Sequence, residues 1–308
     1  MRLGFGLPVS GSWATPDAMR HVAQGAETLG YESLWTFQRL LHPAEGEWGP
    51  MYRAVHDPLA ALAFVAGTTS RIRLGVAVVN MPFYSPIVLA NTLTTIDVVS
   101  AGRLDVGLGL GWSPEEFAAA GVPYERRGAR GEDFVGCLRA VWGDNPVEYA
   151  GEFYSVPPAV VDPKPVQRPH PPILLGGTAD AALRRAGRLA DGWISSSRQD
   201  LADIGRAVGI ITGAAADAGR DAADLRIIVR GALMLETSAV DGDRRPLHGS
   251  ADQVSEDLAA LGEQGVTEVF LDLNFDPRVG SPDADRAESM ERADHALAAF
   301  APGADQAT

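Results

Sequence analysis

Apolar segments with the period of a strand alternate with amphipathic segments of helical period along the 308 residues. Residues 2–7 alternate apolar and small side chains and end at Pro8, which is typical of a short strand. Thr15 and Pro16 then supply a capping residue and an N1 proline before apolar residues at helical spacing, and Gly30 ends this segment. The chain therefore begins with a predicted strand followed by a predicted helix.

The same alternation continues through the rest of the chain. Further strands are predicted at residues 31–36, 71–79, 104–108, 173–175, 191–195, 225–235 and 266–273, with helices between them. Eight strand–helix units are what a (β/α)8 barrel needs, although a doubly wound sheet alternates in the same way. The connections at 37–56 and 144–171 are too long for packing connectors, so we expect them to shape a substrate site.

The charge balance changes which partners are plausible. Asp and Glu number 40 and Lys and Arg number 26, so the net charge is −14. Nucleic acids and anionic membranes require a basic surface, so neither is expected as a partner. No apolar run approaches the roughly 18 residues of a membrane span, and no signal-peptide pattern begins the chain, which predicts a cytoplasmic protein. Cys137 is the single cysteine, which excludes an intramolecular disulfide.

Several common catalytic motifs are absent from the sequence, among them GxxxxGK[ST], HExxH and GxSxG. The run from Gly107 to Gly111 resembles a dinucleotide-binding turn, but the third glycine of that motif would fall at Trp112. The six histidines show no ligand pair at helical spacing, so no metal site is expected.

In a barrel, the chemistry lies where strands end and loops begin. The triplet Gly176-Gly177-Thr178 follows a predicted strand and precedes a helix that carries Arg184 and Arg185. Backbone amides at such a position bind anions, but a tight turn that needs a positive φ explains the same glycines. Gly107, Gly109 and Gly111 leave room for a flat ligand or for close helix packing, and Asn80 and Glu115 are hydrogen-bonding or capping residues nearby.

An ordered set of short segments carries a resemblance. The segments are Asp57-Pro58-Leu59, 69–75, 93–97, 100–104, 107–112, 164–173, Gly176-Gly177 and Asp191-Gly192-Trp193. Together they resemble the bacterial luciferase-like superfamily, and the similarity extends in order over about residues 1–200. Within it, the chain is most similar to actinobacterial-type oxidoreductases that use coenzyme F420, a hydroxylated deazaflavin. Relatives that use FMN and oxygen form a second branch.

The resemblance implies a (β/α)8 TIM barrel of the luciferase-like type, formed as one domain over residues 1–308. It places an insertion at about 144–171, before strand five, and a disordered tail after residue 300. It also implies a non-prolyl cis peptide at Ala77–Val78, against the cofactor ring. Because members of the superfamily are commonly dimers, we expect a homodimer.

The resemblance also assigns cofactor-binding residues. Gly176, Gly177 and Thr178 would bind the cofactor phosphate through their amides. The ring or its tail would be lined by Ala77, Val78, Gly109, Leu110, Gly111 and Trp112, with Asn80 and Glu115 as polar neighbours.

One departure from the family affects the chemistry. Deazaflavin-dependent alcohol and sugar-phosphate dehydrogenases of the superfamily carry an Asp-His pair at the end of strand two, where this chain has Gln38 and Arg39. Since arginine stays protonated in proteins, it cannot take a proton from an alcohol. Gln38 and Arg39 are better suited to hold an anionic substrate or the ionised oxygen of the ring.

The sequence therefore predicts an F420-dependent oxidoreductase that transfers a hydride between the coenzyme and a small organic substrate. The preferred reaction is the reduction of an enone or imine. The alternative is an FMN-dependent monooxygenase of the luciferase and alkanesulfonate type that uses O2, and a third interpretation is a non-catalytic cofactor-binding barrel. Reduction also needs a proton donor, for which His42, His56 and Tyr84 are candidates; the sequence assigns no other catalytic residue.

Overall fold

The computed structural model describes residues 1–46 and 48–302. Its central feature is a closed barrel of eight parallel strands. These are β1 Arg2–Gly6, β2 Ser33–Thr36, β3 Arg73–Val76, β4 Leu104–Gly109, β5 Ile173–Gly176, β6 Gly192–Ile194, β7 Arg226–Ala232 and β8 Glu268–Asp272. Each strand pairs with the next one along the chain, and β1 pairs with β8 to close the barrel. The predicted (β/α)8 TIM barrel is therefore confirmed.

Helices follow the strands and cover the outside of the barrel. They are α1 Pro16–Leu29, α2 Pro58–Ala66, α3 Pro86–Val99, α4 Pro114–Ala120, α5 Arg127–Trp142, α6 Asp180–Leu189, α7 Ile204–Asp217, α8 Ala251–Glu263, α9 Pro277–Gly280 and α10 Arg286–Ala299. The hydroxyl of Thr15 caps α1 by accepting from the Ala18 amide, and Gly30 ends it at φ 87°. These caps are the ones that the sequence predicts.

Two predicted strands are divided in the structure. The strand predicted at 71–79 stops at Val76, and the cis peptide Ala77–Val78 separates it from a short strand, Val79–Asn80, that pairs with β4. The strand predicted at 225–235 stops at Ala232. The chain then leaves the barrel because Met234–Leu235 pairs with His248–Gly249, immediately before α8.

The insertion at 144–171 contains an antiparallel hairpin, Val147–Ala150 with Ser155–Ala159, which the sequence pattern does not predict. The carboxylate of Asp133 on α5 fixes it, because it accepts from the amide of Phe153 at 2.6 Å and the hydroxyl of Tyr149 at 2.6 Å. The insertion is therefore anchored to a barrel helix.

A buried ionic network fills the amino-terminal end of the barrel. Asp105 and Glu268 are fully buried. Arg226 donates to both carboxylates, at 2.6 and 2.9 Å, and Arg73 donates to Asp105 at 2.5 and 2.9 Å. Burial alone would raise the pKa of Asp105, but the two arginines hold it below its ordinary value. This end of the barrel is closed, which leaves the opposite end for a site.

An apolar layer lies inside the barrel above that network. It consists of Trp35, Ala77, Leu174, Ile194, Ile228 and Phe270. The rings of Trp35 and Phe270 stack with their centroids 5.3 Å apart. Within the described part of the chain, no helix combines the length and apolar character that crossing a bilayer requires. The predicted disordered tail concerns mainly residues 303–308, which lie outside the described residues.

Candidate active site

A cavity of about 560 Å³ lies at the carboxyl end of the barrel strands, a volume typical of small-molecule sites. The structure brings together most of the residues that the sequence assigns to a site. Those that line the cavity are Gln38, Arg39, Ala77, Val78, Asn80, Gly109, Leu110, Gly111, Trp112, Gly176, Gly177 and Thr178. Residues from the ends of four different barrel strands therefore meet at one place.

The glycines of β4 accommodate the protein's own backbone at the break in strand three. A Cβ atom at Gly107 would collide with the carbonyl oxygen of Val76, and one at Gly109 would collide with a methyl of Val78. The expectation that Gly107 and Gly109 leave room for a flat ligand or for a helix is therefore corrected. They admit Val76 and Val78, and Val78 is the side chain that faces the cavity.

The turn after β5 can bind an anion. Gly177 adopts a φ of +137°, and its carbonyl accepts a hydrogen bond from the Trp193 indole at 2.9 Å. A Cβ at Gly177 would lie 2.5 Å from the Cβ of Ala182. Helix α6 begins directly afterwards, and no side chain caps it at Ala179. The free amides at this helix start therefore point toward the space beyond the turn.

The positive charge near this turn comes from residues other than Arg184 and Arg185, neither of which lines the cavity. Arg185 instead donates to Glu132 at 3.0 Å. Arg127, at the start of α5, and Arg198, after β6, do line it. Neither has an ion-pair partner among the described residues. The sequence gives no signal for Arg127, because α5 reaches this turn only through the tertiary fold.

Arg39 is held in a box of aromatic rings. Its Cζ lies 5.2 Å from the ring centroid of Trp48, 5.0 Å from that of Tyr52 and 4.8 Å from that of Trp112. Nη1 donates to Glu116 at 3.1 Å, and the two side chains are 7% and 1% exposed. Burial lowers the pKa of Arg39 from its ordinary value, and the carboxylate of Glu116 opposes that effect. The guanidinium is therefore fixed in place.

Glu115 does not reach the cavity. Its carboxylate accepts from the hydroxyl of Ser113 at 2.7 Å and faces solvent. The interpretation of Glu115 as a polar neighbour of the cofactor is therefore not supported by its position. The period of α4 turns the next residue, Glu116, inward instead, where it meets Arg39.

Gln38 connects the ends of two strands. Its Nε2 donates to the hydroxyl of Tyr84 at 2.7 Å, and its Oε1 accepts from the amide of Asn80 at 2.9 Å. Tyr84 itself is not a lining residue, and burial raises its pKa. Gln38 therefore positions Asn80, while Tyr84 packs behind the residues that line the cavity and does not contact it.

Neither candidate histidine reaches the cavity. The ring nitrogens of His42 lie 2.8 Å from the Pro43 carbonyl and 3.3 Å from the Trp48 carbonyl. Nε2 of His56 lies 2.8 Å from the carbonyl of Ala14. Both rings bind backbone carbonyls, His42 within the long loop and His56 in the segment before α1, so the structure does not place them, or Tyr84, as proton donors to a bound substrate.

Two residues that sequence reasoning missed complete the wall. Arg230 on β7 has a 5% exposed side chain, donates to the carbonyl of Ala77 and lies 3.7 Å from Asp272. The other is Tyr52, on the long loop, whose hydroxyl has no hydrogen-bond partner among the described residues. A charged residue inside the apolar strand Ile-Ile-Val-Arg230 is a signal that could have identified Arg230. Tyr52 offers no such signal.

Comparison with known proteins identifies the family. The luciferase-like monooxygenase family pattern matches residues 4–241. The chain belongs to this family. The uncharacterized protein Rv0953c of Mycobacterium tuberculosis is 32% identical over 285 residues, which cover 89% of this chain and 92% of that protein. The FMNH(2)-dependent dimethylsulfone monooxygenase of Pseudomonas putida is 32% identical over 183 residues, 58% of this chain and 48% of that enzyme.

Solved structures with the same fold include a monooxygenase and a coenzyme F420 dependent reductase. The monooxygenase RslO1 from Streptomyces bottropensis superposes with a TM-score of 0.81 at 22% identity, covering 99% of both chains. The coenzyme F420 dependent tetrahydromethanopterin reductase from Methanopyrus kandleri superposes with a TM-score of 0.75 at 19% identity, covering 98% of both chains. At these identities the likeness concerns the fold. The neighbours of this luciferase-like family member thus include both F420-dependent and FMNH2-dependent enzymes.

Proposed function

We propose that the protein is an oxidoreductase that binds coenzyme F420 in the cavity and reduces a small enone or imine. One observation carries the proposal. Four arginines, at positions 39, 127, 198 and 230, line the cavity, whereas Asp200 is the one carboxylate among the described lining residues. In a chain of net charge −14 this is a local reversal of sign, and it favours a ligand with several negative charges. F420 carries a phosphodiester and glutamate carboxylates, whereas FMN carries one phosphate.

The cavity residues fit such a cofactor. The amides after Gly177, with Arg127 and Arg198 beside them, would hold the phosphodiester and tail. Ala77 and Val78 would support the ring from the barrel side. The reduced deazaflavin, when bound, supplies a hydride.

The protic side chains of the cavity favour reduction over alcohol oxidation. No histidine lines the described wall, and its one carboxylate, Asp200, is exposed, so a buried general base is missing. Tyr52 is intrinsically more acidic than the serine and threonine hydroxyls that also line the cavity. Its ring lies 5.0 Å from the guanidinium of Arg39, which fixes the phenol at the cavity wall. We infer that Tyr52 gives the proton that accompanies hydride transfer.

A binding titration tests the cofactor assignment. Oxidised F420 and, separately, FMN are added to the purified protein while the tryptophan emission is followed, because Trp112 lines the cavity. We expect micromolar or tighter binding of F420 and at least tenfold weaker binding of FMN. Equal affinities, or tighter binding of FMN, would contradict the proposal.

A second candidate function is an FMN-dependent monooxygenase, which the similarity to the dimethylsulfone monooxygenase favours. The two candidates differ in their use of oxygen. Oxygen consumption on adding reduced FMN and a substrate would support the monooxygenase. Tight binding of F420 or FMN, with no turnover of enones and imines and no oxygen consumption, would support the non-catalytic barrel.

A further inference from the structure

Three aromatic rings form one wall of the cavity, on the side away from the Gly177 turn. The centroid of Phe37 lies 6.3 Å from that of Tyr52 and 5.2 Å from that of Phe275, and Tyr52 and Phe275 are 5.9 Å apart. All three residues line the cavity. Their mutual contacts make a rigid surface with little flexible aliphatic material. The rings are inclined to one another by 47° to 79°, so they offer edges and faces to an aromatic ligand rather than one stacking plane.

Two arginines flank this aromatic wall. The Cζ of Arg39 lies 5.0 Å from the Tyr52 centroid, and the Cζ of Arg230 lies 5.3 Å from that of Phe37 and 4.8 Å from that of Phe275. Both guanidiniums therefore meet the rings that a flat ligand would contact.

Each guanidinium has donors left over. Arg39 uses Nη1 for Glu116, and Arg230 uses Nη2 for the Ala77 carbonyl. Nη2 of Arg39 and Nη1 of Arg230 have no hydrogen-bond partner among the described residues and, unlike the Nε atoms, are not fully buried. The nearest acid to Arg230 is Asp272, whose carboxylate is 3.7 Å away and also accepts from Asn274. Side chains 7% and 5% exposed thus hold unused hydrogen-bond donors at the edge of an aromatic wall.

We propose that this half of the cavity selects a planar conjugated anion, such as an aryl carboxylate or a phenolate-like enolate. Its ring would pack against Phe37, Tyr52 and Phe275 through edge-to-face aromatic contacts, and its anionic oxygen would accept from Arg39 and Arg230. The inference rests on the proposed function, because it places the substrate beside the cofactor. It narrows the substrate class from small enones and imines in general to those that carry an ionised group conjugated with a ring.

The physical reason for this selectivity is the cost of leaving buried donors unpaired. A neutral aromatic ligand would cover the guanidiniums without accepting strongly from them, whereas a carboxylate satisfies both donors with charge-assisted bonds. An aliphatic anion would satisfy the donors but would lose the contacts between aromatic rings.

Isothermal titration calorimetry with three probes tests both halves of the inference. The probes are 2-naphthoate, its uncharged isostere 2-naphthamide, and the saturated decahydro-2-naphthoate, each added to the full chain with and without saturating F420. We expect 2-naphthoate to bind at least tenfold more tightly than either other probe. Equal binding of the amide would overturn the anion assignment, equal binding of the saturated acid would overturn the aromatic one, and binding of none would overturn both.

Variants of Arg39 and Glu116 test whether 2-naphthoate binds at this end of the cavity. Arg39→Gln/Glu116→Gln removes the charge while keeping a buried hydrogen-bonding pair, and it should lower 2-naphthoate affinity at least tenfold. Arg20→Gln, on the exposed side of α1, is the matched control and should change nothing. If the double variant retains full affinity, the assignment to Arg39 is wrong.

The two proposals fail separately. Naphthoate preference without F420 binding would leave this inference standing and refute the cofactor. F420 binding without a preference for 2-naphthoate would support the cofactor assignment and refute this inference.

Discussion

Replacing Glu116 by glutamine tests how firmly the long loop is held beside the cavity. The Glu116 carboxylate is 1% exposed and accepts from Arg39 Nη1 at 3.1 Å and from the Leu40 amide at 2.7 Å. Glutamine keeps the shape and one acceptor oxygen but removes the charge, which leaves a buried guanidinium without its partner. Removing one member of a buried ion pair costs about 3–5 kcal/mol. We expect about 3 kcal/mol, because the Leu40 amide keeps an acceptor.

The measurement is the free energy of unfolding from urea denaturation, followed by far-ultraviolet circular dichroism. For a chain of this size the same loss corresponds to a melting temperature lower by about 5 °C. Arg39→Gln alone should cost a similar amount, since it leaves Glu116 buried and unpaired. The double variant Arg39→Gln/Glu116→Gln should recover part of the loss, and the difference gives the coupling energy.

An exposed ion pair provides the control. Asp17, whose side chain is 95% exposed, pairs with Arg20 at 2.9 Å. Asp17→Asn should cost less than about 1 kcal/mol. If Glu116→Gln costs no more than this control, the pair does not hold the loop, and the argument that Arg39 is fixed at the cavity wall is wrong.

Four further predictions follow from the site and the barrel. Gly177→Asp should weaken F420 binding at least tenfold, because its carboxylate repels the phosphodiester. The neutral variant Gly177→Asn has the same backbone strain, so the Asp variant should also bind F420 at least tenfold more weakly than the Asn variant. Tyr52→Phe should lower reductase turnover about a hundredfold or more while leaving the F420 dissociation constant unchanged, since it removes only the proton donor. Because the pKa of Asp105 is lowered in the folded protein, its contribution to stability should be complete above about pH 4 and be lost as the pH falls below it. An identical acid profile in Asp105→Asn would show that other carboxyls dominate. The homodimer stays a prediction, for which light scattering of the purified chain should give twice the mass of one chain.

The barrel could be predicted because its signals are local. Caps such as Thr15 and Asp57 and the alternation of strand and helix patterns are all properties of short segments. The hairpin Val147–Ala150 with Ser155–Ala159 escaped prediction because its strands are short and are held by Asp133 from a distant helix. The break after Val76 has no signal in strand propensity; its position came from the resemblance alone.

The site was predictable only where it coincides with strand ends. Gln38, Asn80 and the Gly176 turn could be located from their strands, because the carboxyl ends of barrel strands converge. Arg127 and Tyr52 come from helix and loop positions whose approach to the cavity depends on the tertiary fold. The two histidines were wrong candidates for the same reason, since the fold turns the ring of His42 toward the backbone of its own loop and that of His56 toward the backbone of Ala14.

Strand β7 connects the stability of the barrel with its site. Arg226 and Arg230 are four residues apart on this strand, so both face the interior, one below the apolar layer and one above it. Arg226 is neutralised by Asp105 and Glu268 at close range, whereas Arg230 has Asp272 only at 3.7 Å. Nε of both arginines lacks a hydrogen-bond partner among the described residues, so the difference lies in their carboxylates and position: Arg226 is neutralised by two close carboxylates, whereas Arg230 is not and lines the cavity. This difference between two like residues on one strand face is the reason to assign structure to Arg226 and binding to Arg230.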